Sequence, residues 1–284
     1  MRKKPFVGHA GLVWKGEGFA CAILVEGRYG GLMCGRYTIT SAPEAIRALF
    51  RYPEEPQFPA RYNIAPTQPI PIVRLIDGQR HFALMRWGLM PSLVKDPANF
   101  ALLINARGES VCEKPAFRNA MKYRRCLIAA DGFYEWQASG SGGKQPFYIH
   151  PKSGKLLAFA GLWETWTGPN GEEVDTAAIV TTRANGTLAA LHDRMPVIVP
   201  PEAFDLWLDC TNVDARTAET LIAPAPDDQL AFSPVSTLVN RTANDNPALL
   251  QPAAPERVAT PVARAPARLG AKPRAPDDGQ GVLF

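Results

Sequence analysis

Met33-Cys34-Gly35-Arg36-Tyr37 has the form of a protein start set inside a longer reading frame. An initiating methionine is trimmed when a small residue such as Cys follows it. A chain begun at Met33 would therefore present Cys34 with a free α-amine beside its thiol. Amine and thiol together can trap an aldehyde as a five-membered thiazolidine ring. An α-amine has a pKa of about 8 against about 10.4 for Lys, so roughly a tenth of it is unprotonated at neutral pH, against well under a thousandth for an ordinary Lys. An internal Cys34 lacks this chemistry, because its nitrogen is an amide with a delocalised lone pair. In that state it reads as a small buried hydrophobe, the common fate of a free cysteine.

Five motifs set polar residues among apolar ones: Arg61-Tyr62-Asn63-Ile64-Ala65-Pro66-Thr67, Arg86-Trp87-Gly88-Leu89-Met90-Pro91, Ile104-Asn105-Ala106-Arg107, Ala130-Asp131-Gly132-Phe133-Tyr134-Glu135-Trp136 and Leu191-His192-Asp193-Arg194-Met195-Pro196. Strand alternation puts the Glu135 carboxylate on the face opposite Tyr134 and Trp136, toward either solvent or a cleft. In a cleft, partial desolvation would raise its pKa and suit it to moving protons. His192, followed by Asp193, is a second acid/base candidate or a satisfied structural histidine. Asn105 and Arg107 are two apart and share a face if they lie in a strand. There Asn105 could orient a reacting group and Arg107 could hold a phosphate; the alternative for Arg107 is a salt bridge to Glu109.

These residues must be positioned by strands more than by helices. Ser41 with Glu44 reads as a capping box that opens a short helix through Phe50. Residues 51–69 are rich in proline and read as an irregular loop. Two strands, 70–75 and 81–87, join through Asp77-Gly78, a hairpin signal. A helix is expected over 115–123 and a buried strand over 126–130. A second hairpin pairs 133–137 with 146–150 around a Gly/Ser loop at 139–143, and strands continue at 156–163 and 176–182. Helices are expected at 201–208 and 214–222, with Pro201 suited to a first turn. Strand and helix do not alternate regularly, so the pattern predicts one α+β domain, residues 34–251, on a curved, mainly antiparallel sheet with short peripheral helices. From about Pro252 the chain turns to Pro, Ala and Arg and loses apolar periodicity, the composition of a disordered tail.

The apolar content of 46% suits a globular core, and the net charge of +4 permits a nucleic-acid partner without arguing for one. Five scattered cysteines and four isolated histidines give no C-x-x-C pair, no disulfide framework and no metal cluster, so no metal or cofactor is expected. The cysteine usage fits reduced thiols in a cytosol, and no apolar run approaches the roughly 20 residues of a membrane span. A monomer is expected. Residues 1–32 open with Arg2-Lys3-Lys4 and carry a short apolar run at 19–25. Lys15 and Glu17 interrupt a signal-peptide core, and Glu26 and Arg28 crowd the place where cleavage would be marked. The segment reads as the product of a misassigned start or as a removed propeptide.

Together, the order Met-Cys-Gly-Arg, Asn-Ala-Arg, Gly-Phe-Tyr-Glu-Trp and His-Asp-Arg-Met-Pro resembles the SOS response-associated peptidase (SRAP) family over roughly residues 34–252. The resemblance implies capture of abasic sites in single-stranded DNA through an N-terminal cysteine. It also implies that peptidase chemistry removes residues ahead of that cysteine. On that likeness Cys34 is the nucleophile, Asn105 orients its amine, and Glu135 and His192 handle protons around the sugar. Arg36, Asn63, Pro66, Arg107 and Thr181 match positions that line the DNA path. Leu93 stands where many relatives carry a Trp, and an apolar wedge there replaces an aromatic stack worth about 1–3 kcal/mol. Gln280-x-x-Leu283-Phe284 resembles a bacterial sliding-clamp binding peptide, on a tail that would act as a tether. A thiol hydrolase with His192 as base, and a clamp-tethered DNA-binding module without chemistry, are the competing readings.

Overall fold

A computed structural model describes residues 34–97, 99–138 and 143–253. The expectations for residues 1–32, the loop at 139–142 and the tail from 254, with Gln280, Leu283 and Phe284, lie outside the described residues. The strands are β1 (Tyr37–Ile39), β2 (Arg61–Ile64), β3 (Pro69–Ile76), β4 (Gln79–Trp87), β5 (Asn105–Arg107), β6 (Arg125–Ala130), β7 (Gly132–Ala138), β8 (Lys144–Pro151), β9 (Leu157–Thr167), β10 (Glu173–Arg183), β11 (Arg194–Pro196) and β12 (Leu230–Pro234). The helices are α1 (Pro43–Phe50), α2 (Arg118–Tyr123), α3 (Phe204–Leu208) and α4 (Ala215–Glu219), all short. This is the expected mainly antiparallel α+β domain, with its strands divided between two sheets.

The first sheet runs β12-β8-β7-β1-β2. In the second, β10 pairs with both β4 and β9, while β4-β3-β6-β9 completes the circuit, so five strands close on one another. The parallel pairings are those of β10 with β4 and β5. Aromatic side chains join the sheets. Tyr37 packs edge-on to Trp87 at 5.3 Å and to Phe159 at 6.2 Å, and Phe133 meets Phe159 at 5.9 Å. The other face of the first sheet is covered too, by a second cluster of Tyr134, Tyr148, Val235, Val239 and Leu249. Both faces of β7 are thus buried from Gly132 to Glu135, which turns a polar residue in that half of the strand inward unless a gap is left for it.

The Asp77-Gly78 hairpin forms with both residues at positive φ, 49° and 78°, as a twist-matched tight turn requires. The capping box does not form: α1 is preceded by Ala42, with no side-chain cap. Ser41 instead spends its hydroxyl and its amide on Asp131, which also takes the Thr40 amide. The proline-rich loop holds β2, and the helix expected from 115 starts at Arg118. The first late helix splits into a 3-10 turn, Pro201–Ala203, and α3. Asp214 caps the second by accepting the Thr217 amide at 2.8 Å.

Candidate active site around Cys34, Glu135 and His192

The antiparallel pairing of β1 with β7 sets Tyr37 opposite Phe133. The Tyr134 amide then bonds the Arg36 carbonyl at 3.0 Å, and the chain ahead of β1 runs back along β7 toward Glu135. There the backbone N–H of Cys34 donates to Glu135 Oε1 at 2.6 Å, a bond between residues 101 apart in sequence. Gly132 makes the β7–β8 approach possible: a Cβ on it would stand 2.5 Å from the Ile149 carbonyl and 2.6 Å from the Tyr148 hydroxyl.

Glu135 lies opposite Phe147 of β8, on the sheet face away from Tyr134 and Trp136, as alternation requires. It is 4% exposed. Burial pushes its carboxyl up to about 7, against the lowering effect of the Cys34 and Trp136 amides. The group is therefore divided between its two protonation states at neutral pH, the condition for giving and taking a proton at similar cost. The Cys34 thiol is fully buried, and burial first, then the Glu135 carboxylate, push its pKa well above the ordinary value. It remains a thiol near neutrality.

His192 ends the turn after β10, where its amide bonds the Leu188 carbonyl at 3.1 Å. Gln137 of β7 fastens that turn by donating to the Ala190 carbonyl at 2.8 Å. Burial lowers the His192 pKa, while the Asp193 carboxylate, 2.8 Å from Nδ1, raises it. The Asp193 carboxylate and the Lys144 ammonium each act on both Glu135 and His192, which places the two in one electrostatic neighbourhood. Lys144, beside the Gly/Ser loop, was not singled out by sequence pattern.

β5 brings Asn105 to the same region. Its Asn105–Arg107 run pairs with Ile179–Thr181 of β10, and the Trp87 indole N–H holds the preceding Ile104 carbonyl at 3.0 Å. A Cβ on Gly35 would meet Ile104 Cδ1 at 4.0 Å, so the start of β5 runs beside the Cys34–Gly35 segment. Arg107 is exposed and forms no ion pair among the described residues. The salt bridge considered for it is absent: Glu109 is forked onto Arg194, with both N···O distances 2.8 Å.

The other residues matched to a DNA path divide by depth. Leu93 is 90% exposed and Pro66 is half-buried. Arg36 is partly buried and bonds the Asn63 side chain at 3.0 Å and the Val239 carbonyl at 2.8 Å. Asn63 and Thr181 are completely buried. Asn63 carries Arg36 and reaches the carbonyls of Val239, Arg241 and Asn244, while Thr181 holds the Arg194 guanidinium. Neither offers side-chain surface to a strand directly. Among the described residues there is no cluster of His, Cys, Asp and Glu fit to hold a metal, and no helix long and apolar enough to cross a membrane.

Two sheets meet at a buried cysteine whose backbone N–H is bonded to a buried glutamate. This is the arrangement of a mainly antiparallel α+β domain with its acid/base candidates gathered at the chain segment ahead of β1. The chain belongs to the SOS response-associated peptidase (SRAP) family, which matches residues 33–242. It is 38% identical over 222 residues to abasic site processing protein YoqW of Bacillus subtilis, covering 77% of this chain and 99% of that one. It is 32% identical over 260 residues to abasic site processing protein HMCES of Xenopus tropicalis, covering 76% and 77%. A crystal structure of a Bacteroides thetaiotaomicron protein shares the fold, with a TM-score of 0.69 and 24% identity, over 78% of this chain and all of that one. A phage-related protein of Bordetella bronchiseptica, 34% identical, has a TM-score of 0.59 over 71% and 94%.

Proposed function

We propose that this protein captures abasic sites in single-stranded DNA, as part of a DNA-damage response, by forming a thiazolidine between Cys34 and the lesion sugar. The observation that carries the reading is the 2.6 Å bond from the Cys34 nitrogen to a buried carboxyl held near 7. The freed α-amine adds to the C1 aldehyde of the ring-opened sugar, and the carbinolamine loses water to give a Schiff base. The sulfur then adds to the C=N carbon, its proton passes to nitrogen by way of a carboxylate or imidazole, and the ring closes. One water leaves overall, with no change of oxidation state. Glu135 gives a proton to the sugar ring oxygen during opening and His192 steadies the opened form. Asn105 orients the amine and Arg107 reaches a phosphate. Pro66 and Leu93 press on bases, and Arg36, backed by Asn63, and Thr181, through Arg194, shape the strand's bed.

A thiol-dependent self-cleavage ahead of Cys34 accompanies this reading. The Cys34 sulfur adds to the carbonyl of residue 33, and the C–N bond breaks to leave a thioester and the protonated Cys34 amine. Water then hydrolyses the thioester, which releases the leader's carboxylate and restores the thiol. One observation supports it. Cys34 has φ 38°, a left-handed conformation that costs a non-glycine residue roughly 1–2 kcal/mol. That angle exists only while a residue precedes Cys34, so cutting the Met33–Cys34 bond releases the strain. Glu135 stands where it can protonate the leaving nitrogen.

On a denaturing gel, the wild-type chain should shift abasic single-stranded DNA while Cys34→Ala does not. Cys34→Ser, which keeps the amine without efficient ring closure, should show more strand scission. A shift retained in Cys34→Ala ends the reading. The terminal Gln280, Leu283 and Phe284 fit a tether to the bacterial sliding clamp. Deletion of the last five residues should abolish clamp retention in a pull-down, and unchanged retention overturns that assignment.

A further inference from the structure

Two neighbours make incompatible demands on one nitrogen of His192. Asp193 Oδ1 stands 2.8 Å from Nδ1. The Arg194 backbone N–H points at the same Nδ1 from 3.2 Å. A carboxylate oxygen only accepts, so its contact needs a proton on Nδ1; an amide N–H only donates, so its contact needs a lone pair there. One nitrogen satisfies one neighbour at a time, and the choice fixes what the other nitrogen, Nε2, presents in the neutral ring. With Asp193 engaged, Nε2 carries a lone pair. With Arg194 engaged, Nε2 carries the proton.

The two neighbours also differ in freedom. The Arg194 amide belongs to β11, which pairs with β10, and its guanidinium is fixed by Glu109 and by the Thr181 carbonyl at 2.8 Å. The Asp193 side chain is 84% exposed and can leave by rotating about its own bonds. We propose that Asp193 is the positioning residue that sets the His192 tautomer, making Nε2 a proton acceptor when engaged and a proton donor when swung into solvent. This rests on the abasic-site reading, in which His192 steadies the opened sugar as a hydrogen-bond donor and takes up the thiol proton as an acceptor when the ring closes. Asp193 itself touches neither sugar nor DNA in this account. Its charge reaches Glu135 as well: it raises the pKa of both groups, against Lys144 at Glu135 and against Lys144 and Arg194 at His192.

The test uses the full chain with 15N-labelled histidine, read by NMR at pH 7.5 without DNA and assigned with His192→Gln. In wild type, His192 should populate the Nδ1–H form. In Asp193→Ala, and in Asp193→Asn, which conserves size, it should be held in the Nε2–H form, and Asp193→Glu should restore the wild-type pattern. Crosslinking by the Ala and Asn variants should slow by about tenfold, a fraction of what a general acid–base contributes, with the pH profile displaced toward acid. The same tautomer in wild type and in both neutral variants overturns the proposal and leaves the abasic-site reading standing. Failure of the wild type itself to crosslink removes that reading, while the nitrogen shifts still decide what Asp193 does to the ring.

Discussion

Glu135 concentrates the chemistry of the site in one carboxyl. Left in water it would ionise near 4.3. In the fold it is pushed up to about 7 by burial, and the two amides that bond it only partly offset that push. The sign of the linkage follows. Between about pH 4.3 and 7 the folded chain keeps a proton that the unfolded chain has lost, so stability is greatest below this window and falls as pH rises through it. The full loss amounts to roughly 4 kcal/mol. Glu135→Gln should remove it. In urea unfolding of the whole chain, the variant should gain on wild type between pH 5 and pH 8, and parallel loss in both would contradict the assignment. A freed α-ammonium at Cys34 would stabilise the carboxylate, so the same comparison on a chain beginning at Cys34 should show a smaller gain.

At the scale of elements, the site is held by segments far apart in sequence. Asn63 of β2 ties Arg36 to the chain after β12, reaching the carbonyls of Val239, Arg241 and Asn244. Asp245 returns the contact by accepting from Arg61 and from the Tyr62 and Asn63 amides. Asn63→Ala leaves several buried polar groups without partners, each costing about 1–3 kcal/mol. A total loss of roughly 2–4 kcal/mol in urea unfolding is expected, and a loss below about 0.5 would contradict this role. None of this clamp was legible in the sequence, since Asp245 carries no pattern and its partners lie some 180 residues away. Local signals fared unevenly. Asp77-Gly78 named its hairpin because the turn is decided by two residues, and the face of Glu135 followed from alternation along β7. β1, three residues long, is too short for any periodicity, yet it delivers Cys34. Ser41 and Glu44 matched a helix cap, but a distant Asp131 offered Ser41 a better partner.

At the scale of the molecule, the sheets bury both faces of β7 from Gly132 to Glu135 and set the Glu135 carboxyl against the backbone nitrogen of Cys34. The motif order along the chain is enough by itself to mark the family. The gathering of Lys144, Asp193, Glu135 and His192 into one field came only from the fold. The account turns on whether the Cys34 nitrogen is a free amine in the protein that works. Intact mass spectrometry of the adduct with abasic single-stranded DNA answers that directly. The predicted mass is the chain from Cys34 onward plus the DNA minus one water, with peptide mapping placing the bond on Cys34. An adduct of the same ring-closed kind on a chain that still carries residues 1–33 would contradict it.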